Sequence, residues 1–199
     1  MTFLLSTTRS GIDLELRGRD VALRVPTMGD YAAWAELRAL SRSELEPYEP
    51  SWTRDELSRT AFRYRLKHYS REVAQDLGYA FFIFDAIGDR LMGAVTLSNV
   101  RRGVAQTAHV GYWIGTQASG KGYMTQALCL LAPFAFRKLQ LHRLEAGCVP
   151  TNRASVRVLE KSGFKQEGVA RQYLRINGNW QDHLLFARLS DDPLPEARS

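Results

Sequence analysis

The chain has 199 residues, 45% of them hydrophobic and 24% charged. That length suits one globular domain with a sizeable core, and no apolar run approaches the roughly 18 residues that a membrane helix needs. The net charge of +6 and pI near 9.5 favour anionic partners such as a phosphorylated cofactor or RNA, although a plain solvated basic surface accounts for the scattered basic residues equally well.

The opening MTFLLSTTRS has no cationic start and too short an apolar run for a secretory signal, which predicts a cytoplasmic protein. Ile12, Leu14 and Leu16 alternate with polar residues, Gly18-Arg19-Asp20 turns the chain, and Val21, Leu23 and Val25 alternate again: an opening hairpin. Thr27 and Asp30 have capping-box spacing before a helix through Tyr31, Trp34 and Leu37. Thr53 and Glu56 have it again before Leu57, Ala61, Tyr64 and Leu66, a helix expected to run to about Gln75. Between them, residues 41–52 carry two prolines, three glutamates and two large aromatics, a mixture suited either to a binding-site loop or to an ordinary connection.

From Gly78 the pattern changes to strands: 79–85, a turn at Gly88-Asp89, 91–100, then 104–115, an antiparallel meander. A helix over about 121–138 follows, with Pro133 placed to bend or shorten it. Then come a strand over 143–149, a helix over 154–162 and a last hairpin with Asn177-Gly178 at its tip, the strongest signal for a primed turn. The tail, residues 191–199, reads as frayed, and nothing marks a second domain. Phe81, Phe82, Phe84, Phe134 and Phe136 read as core, and Cys129 and Cys148 as packed thiols without a metal or redox motif.

Chemistry concentrates in GYWIGTQASGKGYMTQAL, residues 111–128. Gly115, Gly120 and Lys121 satisfy most of a nucleotide P-loop, but Gly122 stands where a Ser or Thr hydroxyl would hold magnesium. Unpaired N–H groups at a helix start, with the positive end of its dipole, bind an anion without a metal, so a passive diphosphate fits better than a magnesium nucleotide. A second segment, PTNRASVRVLEKSGF, puts Asn152 at a helix N-cap and Gly163 at its end. On that helix Asn152, Ser155 and Leu159 share one stripe.

Gln117-x-x-Gly120-x-Gly122, Asn152-x-x-Ser155 and Gly163-Phe164 together resemble the GNAT superfamily of acetyl-CoA-dependent N-acetyltransferases, and within it the RimJ/RimL-type ribosomal-protein alanine N-acetyltransferases. The similarity takes in Pro47-Tyr48-Glu49-Pro50, Leu97-Ser98-Asn99-Val100, Gly111-Tyr112-Trp113-Ile114 and the run from Glu167 through Tyr173 to Asp182-His183. It spans about residues 12–190 of a single domain covering 1–199. The resemblance implies an α+β fold: a mixed, centrally splayed, mostly antiparallel seven-stranded sheet flanked by about four helices.

It also implies a site. A pantetheine arm would lie between the strands at 104–115 and 143–149, pairing with backbone at Trp113 and Ile114. N–H groups from Gly120, Lys121, Gly122, Tyr123 and Met124 would hold the CoA diphosphate, bordered by the side chains of Gln117 and Lys121, with Asn152 on the arm and Arg153 near a phosphate. The resemblance implies direct attack of a neutral amine on the thioester, with Ser155 as general acid to the leaving sulfur and a strand N–H on the oxyanion. Family members often carry a glutamate where this chain has His109, so the base is open among His109, Glu46, Glu49 and Asp182. The expected partners are acetyl-CoA and a protein or peptide N-terminus, with the alanine of a ribosomal protein as acceptor, in a monomer or homodimer without metal, membrane or DNA. A small-molecule amine as acceptor and a non-catalytic ribosome- or RNA-binding module are the alternatives.

Overall fold

The structure, a computed structural model, describes residues 3–8, 11–87 and 90–193. The expected turn at Gly88-Asp89 and the end of the tail, 194–199, lie outside the described residues. Nine strands form one sheet in the order β1-β2-β3-β4-β5-β6-β7-β9-β8. They are β1 (Phe3–Thr8), β2 (Gly11–Arg17), β3 (Val21–Arg24), β4 (Tyr79–Asp85), β5 (Leu91–Arg101), β6 (Thr107–Ile114), β7 (Arg143–Cys148), β8 (Lys165–Ile176) and β9 (Asn179–Leu189). The helices are α1 (Tyr31–Leu40), α2 (Arg42–Leu45), α3 (Arg59–Ala74), α4 (Tyr123–Pro133) and α5 (Arg153–Lys161). The α+β class holds, while the seven strands and four helices expected become nine and five among the described residues. One extra strand is β1, which pairs along its length with the outer edge of β2. The extra helix is α2, within the segment read as a loop.

Every neighbouring pair is antiparallel except β6 and β7. β4 shows why the centre needs helices on both faces. Phe81 and Ile83 point into the cluster under α4 and α5, and Phe82 and Phe84 into a second with Trp34 of α1 and Phe62 of α3. Each such buried side chain is worth about 1.5–3 kcal/mol.

The start of α3 differs from the expectation. Thr53 and Glu56 stay in a turn, and Ser58 is the N-cap, its hydroxyl accepting the Ala61 N–H at 3.1 Å. Glu56 is taken by Arg65 at 2.7 Å instead. The buried face of α3 is accordingly set by Phe62, and Tyr64 is exposed. Pro133 ends α4 as anticipated, and Phe134–Lys138 continue as a π turn. The β8–β9 turn has the predicted primed geometry, with positive φ at both Asn177 and Gly178.

Two contacts hold α5 in place. Leu159 is fully buried against the sheet, and the buried Arg188 of β9 donates to the carbonyl of Ser162, at the end of the helix, at 2.8 Å. Burial pushes the Arg188 guanidinium below its ordinary range.

Candidate active site

β6 and β7 pair only at Thr107↔Arg143, Ala108↔Leu144 and His109↔Glu145. Beyond these residues β6 follows β5 and β7 follows β9, so the two strands part. The gap is one cleft of about 700 Å³, within the usual range for small-molecule sites. Side chains alternate along β6. Val110, Tyr112 and Ile114 face the α4–α5 side, where Cys148 of β7 also packs; Trp113 faces the α1–α3 side. The cleft is lined from both sides, so it passes through the sheet.

At the α4 mouth, Gly120 and Gly122 adopt φ of +74° and +81°, and a Cβ built on either meets nothing within 4 Å. The turn between the glycines lies open to solvent. The first N–H groups of α4 have no intrahelical partner by construction. No side chain caps them, and no backbone bond engages the N–H groups from Gly120 to Thr125 among the described residues. Donors without partners, glycines in place of side chains and a helix dipole suit a diphosphate. Arg153, Arg157 and Lys161 line the same cleft from successive turns of α5, and none of the three has an ion-pair partner among the described residues. Gln117 and Lys121 are exposed beside the turn and do not line the cleft; Tyr123 and Met124 do.

In the middle of the cleft, Asn152 caps α5, its Oδ1 accepting the Ser155 N–H at 3.0 Å. Ser155 Oγ lies 2.7 Å from the Tyr112 hydroxyl, and the Tyr112 hydroxyl is also 3.3 Å from the Ser155 carbonyl. Burial drives the Tyr112 phenol above its ordinary range, although the Ser155 bond opposes that shift. Burial likewise raises the Cys148 thiol, again opposed by Ser155. Ser155 thus sits between a phenol and a thiol that both stay protonated at neutral pH. Tyr112 is a site residue that sequence reading named only within a motif. The period-two pattern of β6 puts it on the face of Val110 and Ile114, but its partner lies 43 positions away.

At the other mouth stand Glu44, Leu45, Tyr48 and Glu49. The segment carrying them is pinned at both ends. The Thr116 N–H donates to Ser41 Oγ at 3.0 Å, the Thr116 hydroxyl donates to Glu44 at 2.8 Å, and the Asn177 N–H donates to the Glu49 carbonyl at 2.8 Å. Glu49 accepts both Nη groups of the buried Arg38 at 2.7 Å and the Trp52 indole N–H at 2.8 Å. His109 lies where the strands part, its Nε2 3.0 Å from Glu145, and does not line the cleft. Neither Glu46, paired with Arg42, nor Asp182, which accepts the Gln172 N–H, lines it either.

A mixed sheet whose one parallel pair splays over an open anion-binding turn is the architecture of the GNAT acyltransferases. The chain belongs to that family: the acetyltransferase (GNAT) domain family matches residues 20–165. Among its relatives is a probable N-acetyltransferase, YjcK, of Bacillus subtilis (strain 168), 39% identical, with 89% of this chain and 98% of that protein covered. The ribosomal protein uS5-alanine N-acetyltransferase of Escherichia coli (strain K12) is 33% identical, covering 87% and 90%. A solved structure of Mycobacterium smegmatis RimJ in complex with CoA-disulfide superposes with a TM-score of 0.81 at 32% identity, covering 90% of this chain and 82% of that one. The relatives are N-acetyltransferases, and GNAT neighbours are solved with acetyl-CoA or CoA bound.

Proposed function

We propose that this protein transfers the acetyl group of acetyl-CoA to the N-terminal α-amine of a polypeptide, with the alanine of a ribosomal protein as acceptor. The observation that carries this reading is the cleft through the sheet, with an open glycine turn of unpartnered N–H groups at one mouth and carboxylates at the other. An anionic cosubstrate and a cationic amine would enter from opposite faces and meet beside Ser155. The similarity to the uS5-alanine enzyme over most of both chains supports the acceptor class.

Acetyl-CoA supplies the activated acyl group; the chain holds and aligns it. The N–H groups of residues 120–124 hold the diphosphate, with Arg153, Arg157 and Lys161 adding positive charge. The open edge of β6 at Trp113 and Ile114 offers backbone groups to the pantetheine, and Asn152, whose Nδ2 has no partner among the described residues, offers it to the same arm. Ser155 protonates the departing sulfur, its hydroxyl oriented by Tyr112. Glu49, held between Arg38 and Trp52, and Glu44 attract the incoming ammonium group.

The test is CoA thiol release with peptides that differ only in their first two residues. An alanine-initiated peptide is the expected substrate, and its N-terminally blocked form is not. Equal rates with the blocked peptide, or turnover confined to small amines, would overturn the assignment.

A further inference from the structure

His183, on β9, is 3% exposed yet borders the cleft. Its Nδ1 lies 2.9 Å from the Gln181 carbonyl oxygen. A carbonyl only accepts, so Nδ1 carries the hydrogen and Nε2 of the neutral ring carries the lone pair. Nε2 has no protein partner among the described residues and is not among the buried polar atoms sealed from solvent. Nε2 is therefore open to solvent on a ring that borders the cleft. The Tyr173 ring packs edge-on against it with centroids 5.7 Å apart, and a Cβ on Gly147 would stand 3.7 Å from the imidazole Cδ2, so the glycine leaves that edge of the ring uncovered.

We propose that His183 is the general base of the acyl transfer, its Nε2 receiving a proton from the acceptor amine. The proposal rests on the acetyl-transfer reading above but not on the identity of the acceptor. An incoming ammonium group must lose two protons to become an amide N–H. One passes to Nε2 and on to water. The nitrogen lone pair then forms the C–N bond, the C–S bond breaks with its electron pair on sulfur, and the thiolate takes a proton from Ser155. The second amine proton leaves as the adduct collapses and restores the Ser155 hydroxyl through water.

The other histidine considered is arranged differently. His109 Nε2 is engaged by Glu145 and lies off the cleft. Glu49 lines it, but three donors already occupy its oxygens, which leaves it less free to meet an incoming amine. The ionisable groups around His183 are Tyr173 on β8, Cys148 on β7, Glu44, Tyr48 and Glu49 across the cleft, and the cations of α5. Among these side-chain types, imidazole is the one whose ordinary titration falls near neutrality.

The test compares the parent with His183→Gln by CoA thiol release across a pH series, using whichever amine the parent acetylates fastest among Ala-, Ser- and Met-initiated peptides and small primary amines. The expected result is a kcat lower by about 10²-fold or more, an acetyl-CoA KM within about threefold, and loss of the acid limb of the kcat/KM profile. Added imidazole should partly restore His183→Ala, which a packing role would not produce. A kcat within about threefold of the parent, or an unchanged acid limb, would overturn the proposal. Failure of the polypeptide reading shows separately, as a parent that prefers a small amine, and the His183 comparison is then made on that amine.

Discussion

Gly122→Ala separates the cost of a left-handed backbone from the cost of losing a ligand. Gly122 has φ of +81°, and a Cβ there meets nothing within 4 Å, so the substitution creates no clash. The folding cost is the left-handed conformation alone, about 1–2 kcal/mol, which in a domain of this size lowers Tm by about 2–8 °C. Gly103, in the β5–β6 turn at the opposite end of β6, has φ of +64° and equally open space, so Gly103→Ala should cost the same. The ligand effect should differ. A methyl at Gly122 would stand where the proposed diphosphate approaches the start of α4. Loss of one N–H bond to a charged acceptor costs about 1.5–3 kcal/mol, tenfold or more in Kd. At a CoA concentration roughly 100 times the parent Kd, CoA stabilises the parent by about 2.7 kcal/mol. The CoA-induced rise in Tm should therefore fall to about half or less in Gly122→Ala and stay intact in Gly103→Ala. Thermal unfolding with and without CoA measures all of these. Equal CoA-induced shifts in the two variants would refute the diphosphate cradle.

Ser155→Ala should lower kcat by about 10²-fold with little change in acetyl-CoA KM; steady-state CoA release reads both, and an unchanged kcat would remove the hydroxyl from the chemistry. Glu49→Ala leaves the buried guanidinium of Arg38 without its anion, between the rings of Trp52 and Trp113. Breaking such a pair costs about 3 kcal/mol, so Tm should fall by about 6–12 °C, and a drop of less than about 2 °C would show the pair to be weak. For Asp30, burial works against the charged form. Donation from Arg24 and the Thr27 N–H outweighs it, so the carboxyl sits below its ordinary range. A carboxyl depressed on folding adds stability above its unfolded pKa, near 4, and surrenders it as pH falls through the folded value. Denaturant melts between about pH 5 and pH 2 should show a smaller acid loss for Asp30→Asn than for the parent; parallel curves would contradict the linkage.

The parts of this molecule legible in the sequence are those governed by neighbours along the chain. The meander, the Asn152 cap, the end of α4 at Pro133 and the primed turn at Asn177-Gly178 each depend on residues within a few positions of one another. Thr53 and Glu56 had the right local spacing and still failed, because Arg65 draws the carboxylate away and Ser58 offers a better cap. The splay of β6 from β7 is implied by the family resemblance alone, since three paired positions followed by divergence leave no mark on either strand's own pattern.

The site divides along the same line. The proposed anion turn rests on consecutive N–H groups and glycines, features of one short stretch of sequence, and the structure leaves those N–H groups without partners among the described residues. The pairing of Tyr112 with Ser155 and the ionic hold of Arg38 on Glu49 join distant elements and were not foreseen. His183 is the sharpest case: in its run of Asp182, His183, Leu184 and Leu185 nothing distinguishes a packed imidazole from a reactive one. Its tautomer is set locally, by the Gln181 carbonyl two residues away. Its chemical opportunity is not local, because Nε2 becomes reachable only where β7 leaves β6 and Gly147 offers no side chain to cover the ring. A side chain at position 147 would narrow the gap beside the imidazole without touching the diphosphate turn. Gly147→Val should therefore impair acceptor turnover while sparing the CoA-induced rise in Tm.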